Sequence, residues 1–171
     1  MKTLIITAAL LLMVQSLASA QDVDHPYRGQ GYVFIGEGTL QDNGLHGITH
    51  VGGGGEVLLF KGFGIGSELG AMGRPGEGVG VFSIDPSYHF LRASSTSKLV
   101  PFVEGGYTRT FANNDPVPSA NLFNFGGGIH YWAFKRAGLR LEFRDQVHPR
   151  LAYVSGFADH YWGLRIGLAL R

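Results

Sequence analysis

The chain is 171 residues long, with 14 basic and 13 acidic side chains, 27 glycines and no cysteine. A formal net charge of +1 shows no bias towards nucleic acid or an acidic partner, and the absence of cysteine excludes disulfides, thiolate metal sites and a lipid on an N-terminal cysteine. With 44% hydrophobic and 16% charged residues and only seven prolines, the composition is neither that of a disordered chain nor that of a collagenous one.

Residues 1–20 read as a cleavable secretory signal. Lys2 supplies the positive start, Leu4 to Val14 an apolar core, and Ala18, Ser19 and Ala20 a small-residue cleavage site. The mature protein is expected to begin at Gln21 and to form one domain over 21–171. The apolar core is far shorter than the roughly 20 residues of a membrane-spanning helix, and no second long apolar run follows. Removing the segment takes away Lys2 and leaves 13 basic against 13 acidic side chains, a formal charge of zero.

Eight segments then show period-two alternation or β-branched and aromatic enrichment, each bounded by Gly, Pro, Asn, Asp or Ser. They lie near 28–39, 48–60, 62–72, 78–91, 99–111, 120–133, 137–148 and 158–170. No segment keeps an apolar stripe of helical period, and glycine recurs every few residues at a cost of about 1 kcal/mol per helix-interior site. The chain is predicted to be all-β. In the fourth segment Asp85-Pro86 predicts a bulge or a strand end.

The direction of the alternation decides between two kinds of barrel, because a soluble one turns its apolar face inward and a membrane one turns it to lipid. In the third segment Phe63, Ile65, Leu69 and Ala71 oppose Gly64, Gly66, Glu68 and Gly70; in the sixth, Phe123, Phe125, Ile129 and Tyr131 oppose Asn124, Gly126, Gly128 and His130. In the seventh Leu139, Leu141 and Phe143 oppose Arg140, Glu142 and Arg144, and in the eighth Trp162, Leu164, Ile166, Leu168 and Leu170 oppose Tyr161, Gly163, Arg165, Gly167 and Ala169. A face of glycines with isolated charges suits the crowded inside of an eight-stranded barrel. The predicted fold is an eight-stranded antiparallel up-and-down transmembrane β-barrel.

An even strand count places both mature termini on the periplasmic side, with external links near 40–47, 73–77, 112–119 and 149–157. The expected periplasmic links are a tight turn at Lys61, Arg92 to Lys98, and Phe134 to Arg136. Aromatic residues near segment ends, such as Tyr32, Phe34, Tyr88, Phe90, Tyr107, Phe111, Tyr131, Trp132, Tyr161 and Trp162, predict interfacial girdles.

Three stretches, Phe102-Val103-Glu104-Gly105-Gly106-Tyr107, Phe125 to Tyr131 and Gly138 to Asp145, together with the pattern over 28–171, resemble the small bacterial outer-membrane β-barrel family that includes OmpA-like, OmpX-like and many porin-like domains. The resemblance implies a Gram-negative outer-membrane location, contact with outer-membrane lipids and insertion by the outer-membrane assembly machinery, and implies no activity. Members commonly finish on an aromatic residue, whereas this chain finishes Leu168-Ala169-Leu170-Arg171.

The candidate site is the inward charge set: Glu56, Glu68, Glu104 and Glu142 with Arg140, Arg144, Arg165 and His130. It is expected to be a structural ion-pair and hydrogen-bond network that plugs the barrel, since an Arg facing lipid at mid-membrane costs roughly 2–4 kcal/mol and an unpaired interior charge is also expensive. A proton or ion path is the competing use of the same groups. The histidines, notably His46, His50, His130, His148 and His160, show no HxH or HExxH spacing, and no metal or cofactor is assigned. Gly52 to Gly55 lacks a phosphate-loop pattern and a following helix. The expected role is structural, adhesive or a minor passage of small solutes by a monomer without enzymatic chemistry. Two alternatives stay open: a lipid-modifying enzyme, although no histidine is followed two residues later by serine, and a soluble exported ligand-binding barrel.

Overall fold

The computed structural model describes residues 29–41, 45–60, 62–90, 98–111, 119–148 and 159–171. They form β1 (Gly29–Gln41), β2 (Leu45–Phe60), β3 (Phe63–Arg74), β4 (Glu77–His89), β5 (Leu99–Phe111), β6 (Asn121–Tyr131), β7 (Ala137–His148) and β8 (Asp159–Leu170). Each strand pairs antiparallel with its sequence neighbour, and β1 pairs with β8, so the sheet closes into an eight-stranded up-and-down barrel. Closure removes the unpaired sheet edges that would otherwise leave N–H and C=O groups without partners in lipid.

The alternation seen in the sequence resolves into two faces. Val33, Ile35, Val57, Leu69, Phe123, Leu141, Leu164 and Ile166 point outward and are exposed, Leu164 at 68%, while Arg140, Glu142, Arg144 and Arg165 are buried inside. The physical reason is the strand period of two: adjacent residues on a strand project to opposite faces. This distribution is the reverse of a soluble ligand-binding barrel, which needs an apolar lumen throughout. The strands, 11 to 16 residues long, reach or exceed the ~9–11 residues that a tilted strand needs to cross the hydrocarbon.

Several expectations require correction. The fourth strand is neither ended nor bulged at Asp85-Pro86: its ladder with β3 runs through both residues, and its pairing with β5 stops at Ile84↔Tyr107 and resumes at Ser87↔Glu104 in the same register. A continuous partner on one side holds the strand where proline offers no donor. The irregularity lies instead in β2, where the register against β3 shifts between Leu58 and Phe60. It leads into Gly62, whose φ of +90° suits glycine and whose carbonyl accepts from His89 N at 2.7 Å.

The links at 40–47 and 73–77 are shorter than expected. Leu40 and Gln41 pair with His46 and Leu45, and Arg74 pairs with Glu77 across a turn at Pro75 and Gly76, because ladder hydrogen bonds extend both hairpins. The expected signal segment, most of Arg92 to Lys98, and the links 112–118 and 149–157 lie outside the described residues. Tyr32, Phe34 and Trp132 are buried inside the lumen and do not join a girdle: their strand neighbours Val33 and Ile35 take the outer face, so parity turns Tyr32 and Phe34 inward. Phe63, Tyr88 and Phe90 do form an outer aromatic group, with centroids 4.7 and 5.0 Å apart.

The lumen is layered. At the end that carries residues 29 and 171, Tyr32, Phe34, Val100, Trp132 and Ala169 pack as an apolar cluster, and Arg171 lays its guanidinium 4.3 Å from the Trp132 ring centroid. Charged and polar groups fill the middle. Towards the opposite end Met72, Val81 and Leu122 are buried again.

Candidate functional site

Strand β7 places Arg140, Glu142 and Arg144 at alternate positions, so all three project into the lumen. Space for them comes from glycines on the flanking strands. Gly126 and Gly128 of β6 pair with Arg144 and Glu142, and Gly167 and Gly163 of β8 pair with Arg140 and Arg144. The approach is close: a Cβ on Gly128 would lie 1.9 Å from the Leu141 carbonyl oxygen. Long side chains therefore occupy the volume that the glycines vacate.

Arg140 and Arg144 share two carboxylates. Arg140 donates from Nη2 to Glu104 at 2.8 Å and from Nε to Glu142 at 2.8 Å, while Arg144 donates from Nε to Glu142 at 2.7 Å and from Nη2 to Glu104. Arg144 reaches Asp85 as well, at 3.0 Å. Arg165 donates to both oxygens of Glu68, at 3.0 and 3.1 Å, and to His50 Nδ1 at 2.7 Å. Arg140 donates in addition to His130 Nε2 at 3.1 Å and lies 4.5 and 4.0 Å from the ring centroids of Tyr32 and Phe102. Charge-assisted bonds of this kind are the strong class, and planar guanidinium forks suit both the carboxylates and the ring faces.

Seven of the eight residues predicted from the sequence converge in this one network. Glu56 lies apart in a second cluster: it accepts from Gln30 Nε2 at 2.6 Å and from Ser87 Oγ, and it sits 2.8 Å from His89 Nε2. The link between the two clusters is the parallel stack of His89 on His130, with centroids 5.4 Å apart. Asp85, His50, Tyr32 and Asn124 belong to the network and His89 to the Glu56 cluster, and none of them was assigned from sequence. Their signal was parity. Asp85 shares its inward face with Ser83, Ser87 and His89, but its neighbour Pro86 made it look like the end of a strand.

The histidines considered as metal ligands disperse. His50 meets Arg165 and His130 meets Arg140 inside the lumen, whereas His160 lies with the outward parity of β8 and pairs with Asp145 at 2.8 Å. Arranged in this way, the arginines and carboxylates in the middle of the lumen bond to one another and cross-link β3, β4, β5, β7 and β8.

No family model and no curated protein matches the chain. Among solved structures it is similar to Neisserial surface protein A (NspA), with a TM-score of 0.63 at 11% identity over 83% of this chain and 96% of that one. It is similar also to the N-terminal β-barrel domain of Pseudomonas aeruginosa OprF, with a TM-score of 0.55 at 19% identity over 84% of this chain and 100% of that one. Ail, the attachment invasion locus protein of Yersinia pestis, gives a TM-score of 0.52 at 11% identity over 84% and 99% of the two chains. The chain thus has the fold of the small outer-membrane barrels, as the sequence resemblance implied.

Proposed function

We propose that the protein is an integral, monomeric outer-membrane barrel with a structural, adhesive or minor small-solute role in the cell envelope, exported by the segment 1–20. It would be surrounded by outer-membrane lipids and inserted by the outer-membrane assembly machinery. The observation that carries this reading is the inverted barrel: an apolar exterior of strands long enough to cross the hydrocarbon, around a lumen closed by the Arg140, Arg144 and Arg165 network. Similarity in fold to NspA, OprF and Ail supports it.

An eight-stranded barrel has a lumen just wide enough for side chains to fill, so a wide general pore is not part of this reading. No reaction is assigned. His160 and Asp145 form the base-and-orienter half of a hydrolase constellation, but among the described residues no hydroxyl is bonded to His160. Alkaline carbonate washing of membranes is expected to leave the protein in the pellet, and single-channel recording is expected to show no steady large conductance. Release into the wash would defeat the membrane reading, and a large steady conductance would defeat the plugged lumen.

A further inference from the structure

The lumen end remote from residues 29 and 171 opens into a cavity of about 150 Å³. Its wall is mixed: Ile48, Met72, Val79 and Leu122 supply an apolar part, and the Arg74–Glu77 ion pair and Thr110 a polar one. A space of about 150 Å³ is the size that admits a benzene ring. Beneath it lies a smaller space of about 30 Å³, and the two adjoin at Ile48, Met72 and Tyr161, which line both.

The lower space is lined by Gln146, His50, Arg144 and Arg165. Gln146 is only 2% exposed, yet neither its Nε2 nor its Oε1 has a hydrogen-bond partner among the described residues. His50 accepts from Arg165 at Nδ1, so its ring proton sits on Nε2, and that atom too is unpartnered. Burying such groups without partners is costly. Both arginines are already matched to Glu68, Glu104, Glu142 and Asp85, so no unmatched positive charge is left for an anion. What remains unused is the Gln146 amide, with two N–H donors and one acceptor oxygen, and one imidazole N–H.

We propose that this mouth binds a small neutral amphipathic molecule, its ring-sized apolar body between Ile48, Met72, Val79 and Leu122 and its primary amide or hydroxyl head on Gln146. An apolar pocket with a few converging polar groups is the ordinary form of a small-molecule site. A primary amide matches Gln146 best, because it donates and accepts at once. This goes beyond the envelope role proposed above, which names no ligand and no binding site.

Met72 is the one methionine after residue 20, so methyl-labelled methionine in the full chain, in lipid nanodiscs, places a reporter in the cavity wall. Benzamide is expected to shift the Met72 methyl resonance saturably, at least tenfold more tightly than benzoate or acetamide. Gln146→Leu is expected to weaken benzamide at least tenfold while leaving benzene binding unchanged. Val79→Trp is expected to abolish both, with Ile48→Phe read in the same way if Val79→Trp loses the heat-modifiable gel mobility of a folded barrel. Absence of a saturable shift, unchanged benzamide binding in Gln146→Leu, or unchanged binding in a folded cavity-filling variant would overturn the proposal.

Discussion

Arg165 on β8 and Glu68 on β3 meet across the lumen, with Nη1 3.0 and 3.1 Å from the two carboxylate oxygens, although 97 residues separate them. The barrel brings them together only by closing, since β1 and β2 stand between their strands on the short way round. Breaking a buried pair by deleting one partner leaves an uncompensated charge, which costs about 3–5 kcal/mol. Arg165→Met is therefore expected to destabilise the barrel by that amount in urea unfolding from lipid vesicles. The double variant Arg165→Met with Glu68→Met is expected to cost less than the sum of the single changes by roughly 0.5–3 kcal/mol.

Charge alone does not explain Arg140. Its fork reaches Glu104, Glu142 and His130 while its plane lies near Tyr32 and Phe102. Lysine keeps the charge and loses both the fork and the planar face, so Arg140→Lys is expected to cost about 1–3 kcal/mol. The exposed pair Arg74 and Glu77 serves as control, where Arg74→Lys is expected to stay within about 0.5 kcal/mol.

Because the chain has no cysteine of its own, single cysteines report facing without background. Leu139→Cys, Leu141→Cys and Phe143→Cys are expected to carry probes quenched by brominated lipid, and Arg140→Cys, Glu142→Cys and Arg144→Cys are not. Quenching at the even positions would contradict the assigned faces. On the outer face Leu141→Arg is expected to cost about 2–4 kcal/mol, as a charge does near the bilayer midplane.

Close approach of β6 to β7 makes glycine necessary at position 128, where a Cβ would lie 1.9 Å from backbone oxygen; at Gly55 the nearest atom to an added Cβ is 3.5 Å away. Gly128→Ala is expected to lose about 1–3 kcal/mol through forced backbone shifts, measured by the midpoint of the folded-to-unfolded gel shift. Gly55→Ala is expected to be nearly neutral in the same assay.

Alternation together with β-branched and aromatic enrichment placed eight strands, and alternation in the seventh determined the outward turn of Leu139, Leu141 and Phe143 and the inward turn of Arg140, Glu142 and Arg144, because a two-residue period is a local property of extended backbone. It also located the three arginines of the candidate site and three of its carboxylates, Glu68, Glu104 and Glu142. Partners could not be read in the same way. Tyr32 and Phe34 looked like girdle residues, and Asp85 looked like a strand end, until pairing with neighbouring strands fixed which face of β1 meets the lumen and carried β4 through Pro86. The pairing of Arg144 with Asp85 across 59 residues, the separation of Glu56 from the arginines, and the seating of Gln146 under an apolar mouth depend on strand register and barrel closure. Those are relations between distant segments, which periodicity along one strand does not contain.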